Sequence, residues 1–121
     1  MKVVYSDLKN KRVFISGGGS GIGATIVEHF CEQKSEVYFI DIDLKSSKKL
    51  IKKIKKKGYR VPKFIECNIL DVKKLQNIIK DIISKKGAIH CLINSAANDD
   101  RHTTEQVDEK YWENRMGINL K

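Results

Sequence analysis

The 121-residue sequence has no long apolar run, no hydrophobic segment at its start and only three cysteines. No run approaches the ~20 apolar residues that a helix needs to cross a bilayer. Residues 1–7 show no hydrophobic signal region. Cys31, Cys67 and Cys91 are odd in number and have no C-x-x-C or metal-ligand spacing, which argues against a disulfide framework and a metal site. These absences predict a cytoplasmic protein with reduced thiols, no metal and no membrane contact.

Lysine, in contrast, is abundant, and it accounts for most of the net charge of +9. It is concentrated in residues 45–57, where Leu50, Ile51 and Ile54 form an apolar stripe at helical spacing. Clustered lysine attracts phosphate, so a nucleic-acid surface is an alternative. The segment lacks the arginine and aromatic groups that nucleic-acid recognition normally adds. We therefore interpret it as the solvated face of a helix that packs on a sheet, and expect no specific nucleic-acid partner.

Short apolar segments alternate with amphipathic helical segments along the chain, without a linker or repeat. This alternation predicts one α/β domain over residues 1–121, with a doubly wound parallel sheet of order 3-2-1-4 between two helical layers. A ligand would lie above the switch point between strands one and four. The predicted strands are 13–16, 37–41, 63–67 and 91–94; the predicted helices are 21–33, 46–57, one capped by Asp71 and ended by Gly87, and one that starts at Asp108.

A glycine-rich run, residues 16–23, follows the first predicted strand and opens the first helix. A strand, a glycine turn and a helix N-terminus together form a phosphate-binding device. The second strand ends at Asp41, which could accept hydrogen bonds from ribose hydroxyls and would repel a 2′-phosphate. Ser20 and Ile42, followed by Asp43, stand where NADP sites usually carry a basic residue. NAD is therefore favoured over NADP, while a helix-capping or surface role for Asp41 stays open.

The spacing of Gly17, Gly21 and Gly23, G-x-x-x-G-x-G, resembles that of the short-chain dehydrogenase/reductase family. Residues 94–97, Asn-Ser-Ala-Ala, look like that family's N-N-A-G signature, with serine and alanine as departures. Asn119 falls where the family keeps a catalytic asparagine. Residues 98–102, with four later residues, look like bacterial members that oxidise sugars; the four are Tyr111, Trp112, Arg115 and Met116.

The resemblance implies a Rossmann-like fold, a sugar or other polyol as substrate, and a homo-oligomeric full-length form. Asn68 stands in place of the family's adenine-contacting aspartate, and its amide oxygen could still accept from the adenine amino group. Asn94 would tie strand four to its neighbour. Asp99, Asp100, Arg101 and His102 could contact such a substrate, and a solvent-facing loop is the alternative for them. The implied cofactor-binding residues are Gly17, Ser20, Gly21, Ile22, Gly23, Asp41, Ile42, Asn68, Ile69, Asn94, Ala96 and Ala97.

The family's catalytic serine and its helical Tyr-x-x-x-Lys motif have no counterpart in the sequence. Tyr-x-x-x-Lys occurs at Tyr5–Lys9, before the first strand, and at Tyr59–Lys63, where Pro62 would break a helix. We expect neither to be catalytic. Two hypotheses follow: the chain is the cofactor-binding part of an NAD-dependent dehydrogenase, truncated and inactive alone, or it is a stand-alone NAD-binding or interaction protein. A stop inside a predicted helix favours the first.

Overall fold

A computed structural model of the chain describes residues 5–95 and shows a four-stranded parallel sheet of order β3-β2-β1-β4. The order and the parallel pairing are those predicted from the alternation of apolar and amphipathic segments. A short 3₁₀ turn, Ser6–Leu8, precedes the sheet. The strands are β1 (Arg12–Ser16), β2 (Glu36–Asp41), β3 (Lys63–Glu66) and β4 (Cys91–Asn94), and the helices are α1 (Gly21–Glu32), α2 (Leu44–Lys56) and α3 (Val72–Lys86).

Two hydrophobic cores lie on opposite faces of the sheet, because successive side chains of a strand point to opposite sides. In β1, Val13 and Ile15 face the core shared with α1 and α2, whereas Phe14 faces the core shared with α3. In β2, Val37 and Phe39 belong to the first core, and Tyr38 and Ile40 belong to the second. The three-layer α/β/α arrangement is therefore confirmed.

Capping residues set the ends of α2 and α3. Asp71 caps α3 as predicted, since its carboxylate accepts a hydrogen bond from the Lys74 N–H at 3.2 Å. Gly58 and Gly87 follow the two helices with φ of +79° and +100°, the left-handed region that favours glycine. The predicted start of α2 at residue 46 was wrong by two residues, because Asp43 caps the helix and brings Leu44 into its first turn.

The lysine-rich helix packs as predicted, with Leu50 and Ile54 buried and Ile51 partly buried against the same core. Two ammonium groups pair with the carboxylate of Glu28 on α1: that of Lys53 on the helix at 3.2 Å and that of Lys57, the C-cap residue, at 2.6 Å. The remaining lysines lie on the outer surface of the helix. The helix therefore contributes core on one side and positive charge on the other.

Among residues 5–95, Cys31 and Cys67 are buried free thiols and Cys91 is a partly buried one. No group of metal-ligating side chains is found in the described part of the chain. None of its helices combines the length and apolar character needed to cross a membrane. The predicted helix that starts at Asp108 lies outside the described residues.

Candidate functional site

The glycine turn, residues 17–20, joins the end of β1 to the start of α1. Gly17 and Gly21 have φ of +71° and +59°, which an L side chain rarely adopts, so glycine at both positions lets the chain reverse here without backbone strain. The Gly17 N–H donates to the Ile40 carbonyl at 2.8 Å, which ties the turn to β2. Ser20 is the N-cap residue of α1, but its side chain makes no capping hydrogen bond. The Ser20 side chain therefore does not occupy the first N–H groups of α1. An anion site requires such free N–H groups at the start of a helix.

Gly23 allows α1 to begin directly against this turn. A Cβ at Gly23 would collide with the carbonyl oxygen of Gly17 and would come within 2.7 Å of Ser95 Oγ. Open space surrounds the position of a Cβ at Gly21, where nothing lies within 4 Å. Gly23 is therefore required by close packing, whereas Gly21 leaves room above the helix start for a bound group.

The turn opens on a cavity of about 340 Å³ at the carboxyl ends of the parallel strands. This is the edge of an open α/β sheet at which ligands bind, and the volume lies in the range of small-molecule sites. Nine of the predicted cofactor-binding residues line the cavity: Gly17, Ser20, Gly21, Ile22, Gly23, Asp41, Ile42, Asn68 and Ile69. The other predicted site residues, Ala96, Ala97, Asp99, Asp100, Arg101, His102 and Asn119, lie outside the described residues, and Asn94 is placed beside β1.

Asp41, at the end of β2, connects the glycine turn to the start of α2. Its Oδ2 accepts a hydrogen bond from the Gly19 N–H at 2.8 Å, and its Oδ1 accepts one from the Asp43 N–H at 2.9 Å. These two bonds fix the direction of the carboxylate at the rim of the cavity. Because each carboxylate oxygen can accept more than one hydrogen bond, Asp41 retains acceptor capacity for the hydroxyls of a ligand.

The helix-capping role that the sequence left open for Asp41 belongs to Asp43. The Asp43 carboxylate accepts hydrogen bonds from the N–H and the hydroxyl of Ser46, at 3.0 and 2.8 Å. These bonds, the backbone one first, lower the pKa of the Asp43 carboxyl. Two carboxylates therefore flank Ile42, which lines the cavity and is 63% exposed.

Asn68 and Ile69 form the wall of the cavity after β3. The Asn68 side-chain oxygen accepts a hydrogen bond from the Leu70 N–H at 2.9 Å, and its backbone carbonyl accepts one from the Asp71 N–H at 2.9 Å. The amide oxygen proposed for adenine recognition thus already closes a local turn. Its second lone pair is the one that could face a ligand.

The ends of β1 and β4 are held together by serine hydroxyls. Ser16 Oγ donates to Asn94 Oδ1 at 2.7 Å, which ties β4 to its neighbour as predicted, but Asn94, also predicted to bind the cofactor, is not among the residues that line the cavity. Ser95 Oγ donates to the Ser16 carbonyl at 2.7 Å and lies 3.3 Å from the Gly17 carbonyl oxygen. Ser95, which departs from the family signature, therefore links the glycine turn to β4.

Three residues that sequence reasoning did not select also line the cavity: Ile40, Cys67 and Ser95. Each lies at or just beyond the end of a strand, and this position in the sequence could have predicted that they line the cavity. Ile40 and Cys67 are buried in the core below the cavity. They contribute an apolar floor, while the glycine turn and Asp41 contribute polar groups at the rim.

Neither Tyr-x-x-x-Lys pair contributes to the lining of the cavity. Tyr5 precedes the 3₁₀ turn, and Tyr59 lies in the connection between α2 and β3. The Tyr59 hydroxyl donates to Glu32 Oε2 at 3.1 Å, and this hydrogen bond raises the pKa of Tyr59. A catalytic tyrosine base needs the opposite shift.

A family model described as short chain dehydrogenase matches residues 11–121. The chain is 36% identical over 117 residues to a protein of Rhizobium meliloti named "probable galactose dehydrogenase", covering 97% of this chain and 46% of that protein. It is also 36% identical over 119 residues to a D-xylose 1-dehydrogenase of Caulobacter vibrioides, covering 98% of this chain and 46% of that one. The chain therefore spans about half the length of these curated relatives.

The fold is shared with solved structures. A short-chain dehydrogenase/reductase structure from Burkholderia xenovorans superposes with a TM-score of 0.72 at 21% identity. The superposition covers 96% of this chain and 47% of that one. At this level of identity the comparison supports the Rossmann-like architecture of the sheet and its helices.

Proposed function

Because this chain belongs to the short-chain dehydrogenase family, we propose that it binds NAD, and that the protein to which it corresponds transfers hydride between NAD and the hydroxyl or carbonyl carbon of a substrate. The observation that carries this proposal is the cavity at the carboxyl ends of the strands. The glycine turn borders it on one side and Asp41 on the other, and Asn68 and Ile69 form the wall beyond β3. The dehydrogenase family itself points to a nicotinamide cofactor.

The phosphates of NAD fit the beginning of α1. The positive end of the helix macrodipole and the first N–H groups of α1 point towards this side of the turn. The open space above Gly21 and the absence of a side-chain cap from Ser20 leave that end accessible. A pyrophosphate at this place would satisfy backbone donors that the helix cannot satisfy itself.

The charges around the ribose end favour NAD over NADP. Asp41 and Asp43 are both acidic, and the pKa of Asp43 is lowered by its capping hydrogen bonds, so it is ionised at neutral pH. A 2′-phosphate would approach these two carboxylates, whereas ribose hydroxyls could donate to Asp41. Ser20 and Ile42 provide no positive charge to offset the repulsion.

A sugar or another polyol is the proposed substrate. The names of the two curated relatives, a galactose and a xylose dehydrogenase, support this class. Residues Asp99, Arg101 and His102 are the proposed substrate contacts, and a homo-oligomeric, cytoplasmic full-length form belongs to the same proposal. We further propose that this chain alone does not turn over substrate, because its sequence contains no helical Tyr-x-x-x-Lys pair at the cavity. Asn119 would then occupy the position of the family's catalytic asparagine without taking part in catalysis.

The test is a calorimetric titration of the purified chain with NADH and with NADPH. Binding of NADH that is clearly tighter than binding of NADPH supports the proposal, and absence of NADH binding by a chain shown to be folded contradicts it. A stand-alone NAD-binding or interaction protein is the alternative. Turnover of a sugar on addition of a segment carrying the serine and the Tyr-x-x-x-Lys helix would favour the dehydrogenase.

A further inference from the structure

Ser47, on α2, has the single buried side-chain oxygen or nitrogen atom without a hydrogen-bond partner among residues 5–95. The residue is 0% exposed. Its own N–H donates to the Asp43 carbonyl at 3.1 Å, but its hydroxyl does not use that carbonyl as helical serines often do. A buried hydroxyl without a partner lowers the stability of a fold. Alanine at this position would avoid that cost, so the serine requires an explanation.

The hydroxyl borders the hydrogen bond that joins Asp41 to the glycine turn. A Cβ built on Gly19 would collide with Ser47 Oγ and would lie 2.9 Å from Asp41 Oδ2. The Gly19 N–H donates to that same Asp41 oxygen at 2.8 Å. Ser47 Oγ and the Asp41 carboxylate therefore lie against one point of the turn, and only a glycine leaves room for both.

If a ribose binds at the rim, both backbone N–H groups and ribose hydroxyls would donate hydrogen bonds to the Asp41 carboxylate. Its oxygens already accept from the N–H groups of Gly19 and Asp43. Two ribose hydroxyls would add two donors, for which each carboxylate oxygen has a lone pair left. A turn of the carboxylate that aims these lone pairs at the ribose would weaken the hydrogen bond between Oδ2 and the Gly19 N–H. A backbone N–H buried beside the cavity would then lose its acceptor, which is unfavourable unless another oxygen replaces it.

We propose that Ser47 is a positioning residue of the cofactor site. When the Asp41 carboxylate turns to a ribose, the Ser47 hydroxyl oxygen accepts the hydrogen bond of the Gly19 N–H, and the Ser47 hydroxyl donates its proton to Asp41. This inference rests on the proposed NAD function and deepens it. The unpartnered hydroxyl of the free chain is then a group held ready for the bound state. The unpartnered hydroxyl destabilises the free chain, and cofactor binding removes this destabilisation. Replacement of Ser47 by alanine should therefore raise or preserve the stability of the free chain and lower its affinity for the cofactor.

The test compares Ser47→Ala with Ser84→Ala, a matched serine on the exposed part of α3. Ser47→Ala should weaken NADH binding about three- to tenfold, the effect of one hydrogen bond. Its melting temperature without ligand should equal or exceed that of Ser84→Ala. Binding of 2′,3′-dideoxy-ADP, which lacks the ribose hydroxyls, should be the same for Ser47→Ala and the unchanged chain, whereas binding of ADP should be weaker.

Unchanged NADH affinity in Ser47→Ala overturns the inference. So does an equal loss for ADP and dideoxy-ADP, or a lower melting temperature together with weaker binding, since each indicates general damage to packing. If Ser47→Ala does not fold, Ser47→Cys, whose sulfur is a weak acceptor of similar position, should show the same loss for NADH. Failure of the unchanged chain to bind NADH refutes the proposed function, and the role of Ser47 with it; binding by the unchanged chain with no effect of Ser47 refutes the role alone.

Discussion

The Asp41 carboxylate accepts a hydrogen bond from the backbone N–H of Gly19 at 2.8 Å, across 22 positions of sequence. The two motifs that suggested a dinucleotide site, the glycine run and the acidic end of β2, are thus in direct contact. Asp41 therefore has two roles: it holds the glycine turn in place, and it is a proposed contact of the cofactor. A substitution that tests the charge of Asp41 must therefore keep a side-chain oxygen that can accept the hydrogen bond from Gly19.

Asp41→Asn is expected to narrow the difference between NADH and NADPH. Asparagine keeps one side-chain oxygen for Gly19 but removes the negative charge and one acceptor. We expect NADH binding to weaken by roughly tenfold, the lower end for hydrogen bonds to a charged group. NADPH binding should stay constant or improve because repulsion of the 2′-phosphate is removed. Calorimetry with both cofactors measures the two effects.

The matched control for this experiment is Asp81→Asn, which removes the same charge from the exposed surface of α3. It should leave both affinities unchanged at moderate salt, because screening limits the reach of a surface charge to about 10 Å at 0.1 M. A parallel loss of NADH affinity in both variants would refute a specific role for Asp41.

Gly21→Ala, at the residue where the glycine turn meets α1, and Gly58→Ala form a matched pair of variants. Both glycines have positive φ, and a Cβ at either position would meet nothing within 4 Å. Each alanine is expected to lower the free energy of unfolding by about 1 kcal/mol, from backbone strain alone. Only Gly21 lines the cavity, so only Gly21→Ala should also weaken NADH binding. Chemical denaturation and titration measure the two properties, and equal NADH affinity in both variants would exclude Gly21 from the site.

The parallel sheet with helices on both faces followed from the alternation of short apolar segments with amphipathic ones, whereas the contacts around Asp41 did not. The segments around Phe14 and Phe39 are continuous apolar runs, which indicate strands buried on both faces, and the helical segments between the strands make the connections parallel crossovers. The choice of helix cap between Asp41 and Asp43 depends on backbone angles that residue type does not specify. Asp43 has φ −89° and ψ 94°, the extended conformation of an N-cap residue, and α2 therefore starts earlier than predicted.

Tertiary contacts between distant residues account for the other features that the sequence did not reveal. Ser95 contacts the carbonyl of Ser16, 79 positions earlier, and Ser47 contacts the turn at Gly19 through space. Serine is common in loops and helices, so its type gives no indication of either contact. Glycine and aspartate, in contrast, occur at constrained positions, and their spacing could be interpreted directly.

Glu36 is expected to make the stability of the fold fall in acid. Burial alone would raise the pKa of Glu36, but hydrogen bonds from the Tyr38 hydroxyl at 2.7 Å and from Arg12 at 3.1 Å outweigh it and lower the pKa. A lowered pKa in the folded state means that the ionised carboxylate stabilises the fold above the unfolded pKa. This contribution is lost as the pH falls from about 4.5 through the folded-state value.

Glu36→Gln should therefore destabilise the chain at pH 7 and flatten the dependence of stability on pH below 5. We expect a loss of about 1–2 kcal/mol at pH 7, because hydrogen bonds to a charged acceptor are replaced by neutral ones. Urea denaturation at a series of pH values between 3 and 7 measures both effects. Glu66→Gln, on an exposed end of β3, is the control and should leave the curve unchanged; an unaltered slope in Glu36→Gln would contradict the assignment.

The chain by itself is expected to form no NADH from NAD with galactose or xylose. Hydride transfer needs a base that takes the proton of the substrate hydroxyl, and a free tyrosine, with a pKa near 10, is too weakly ionised at neutral pH. Burial and the hydrogen bond to Glu36 raise the pKa of Tyr38 to about 12, and the hydrogen bond to Glu32 raises that of Tyr59. Both shifts move the phenols further from the ionised form, and neither residue lines the cavity.

Absorbance at 340 nm measures this expectation, with the chain saturated by NAD and the sugar in excess. Addition of a polypeptide that carries the family's serine and Tyr-x-x-x-Lys segment should produce turnover, because the proposed cofactor site would then face a tyrosine whose pKa a neighbouring ammonium lowers. His102, outside the described residues, is the proposed substrate contact whose side chain type titrates near neutral pH. Reproducible NADH formation by the chain alone, abolished by His102→Ala but not by His29→Ala on the exposed face of α1, would show that the chain carries its own base and that catalysis does not depend on a further segment.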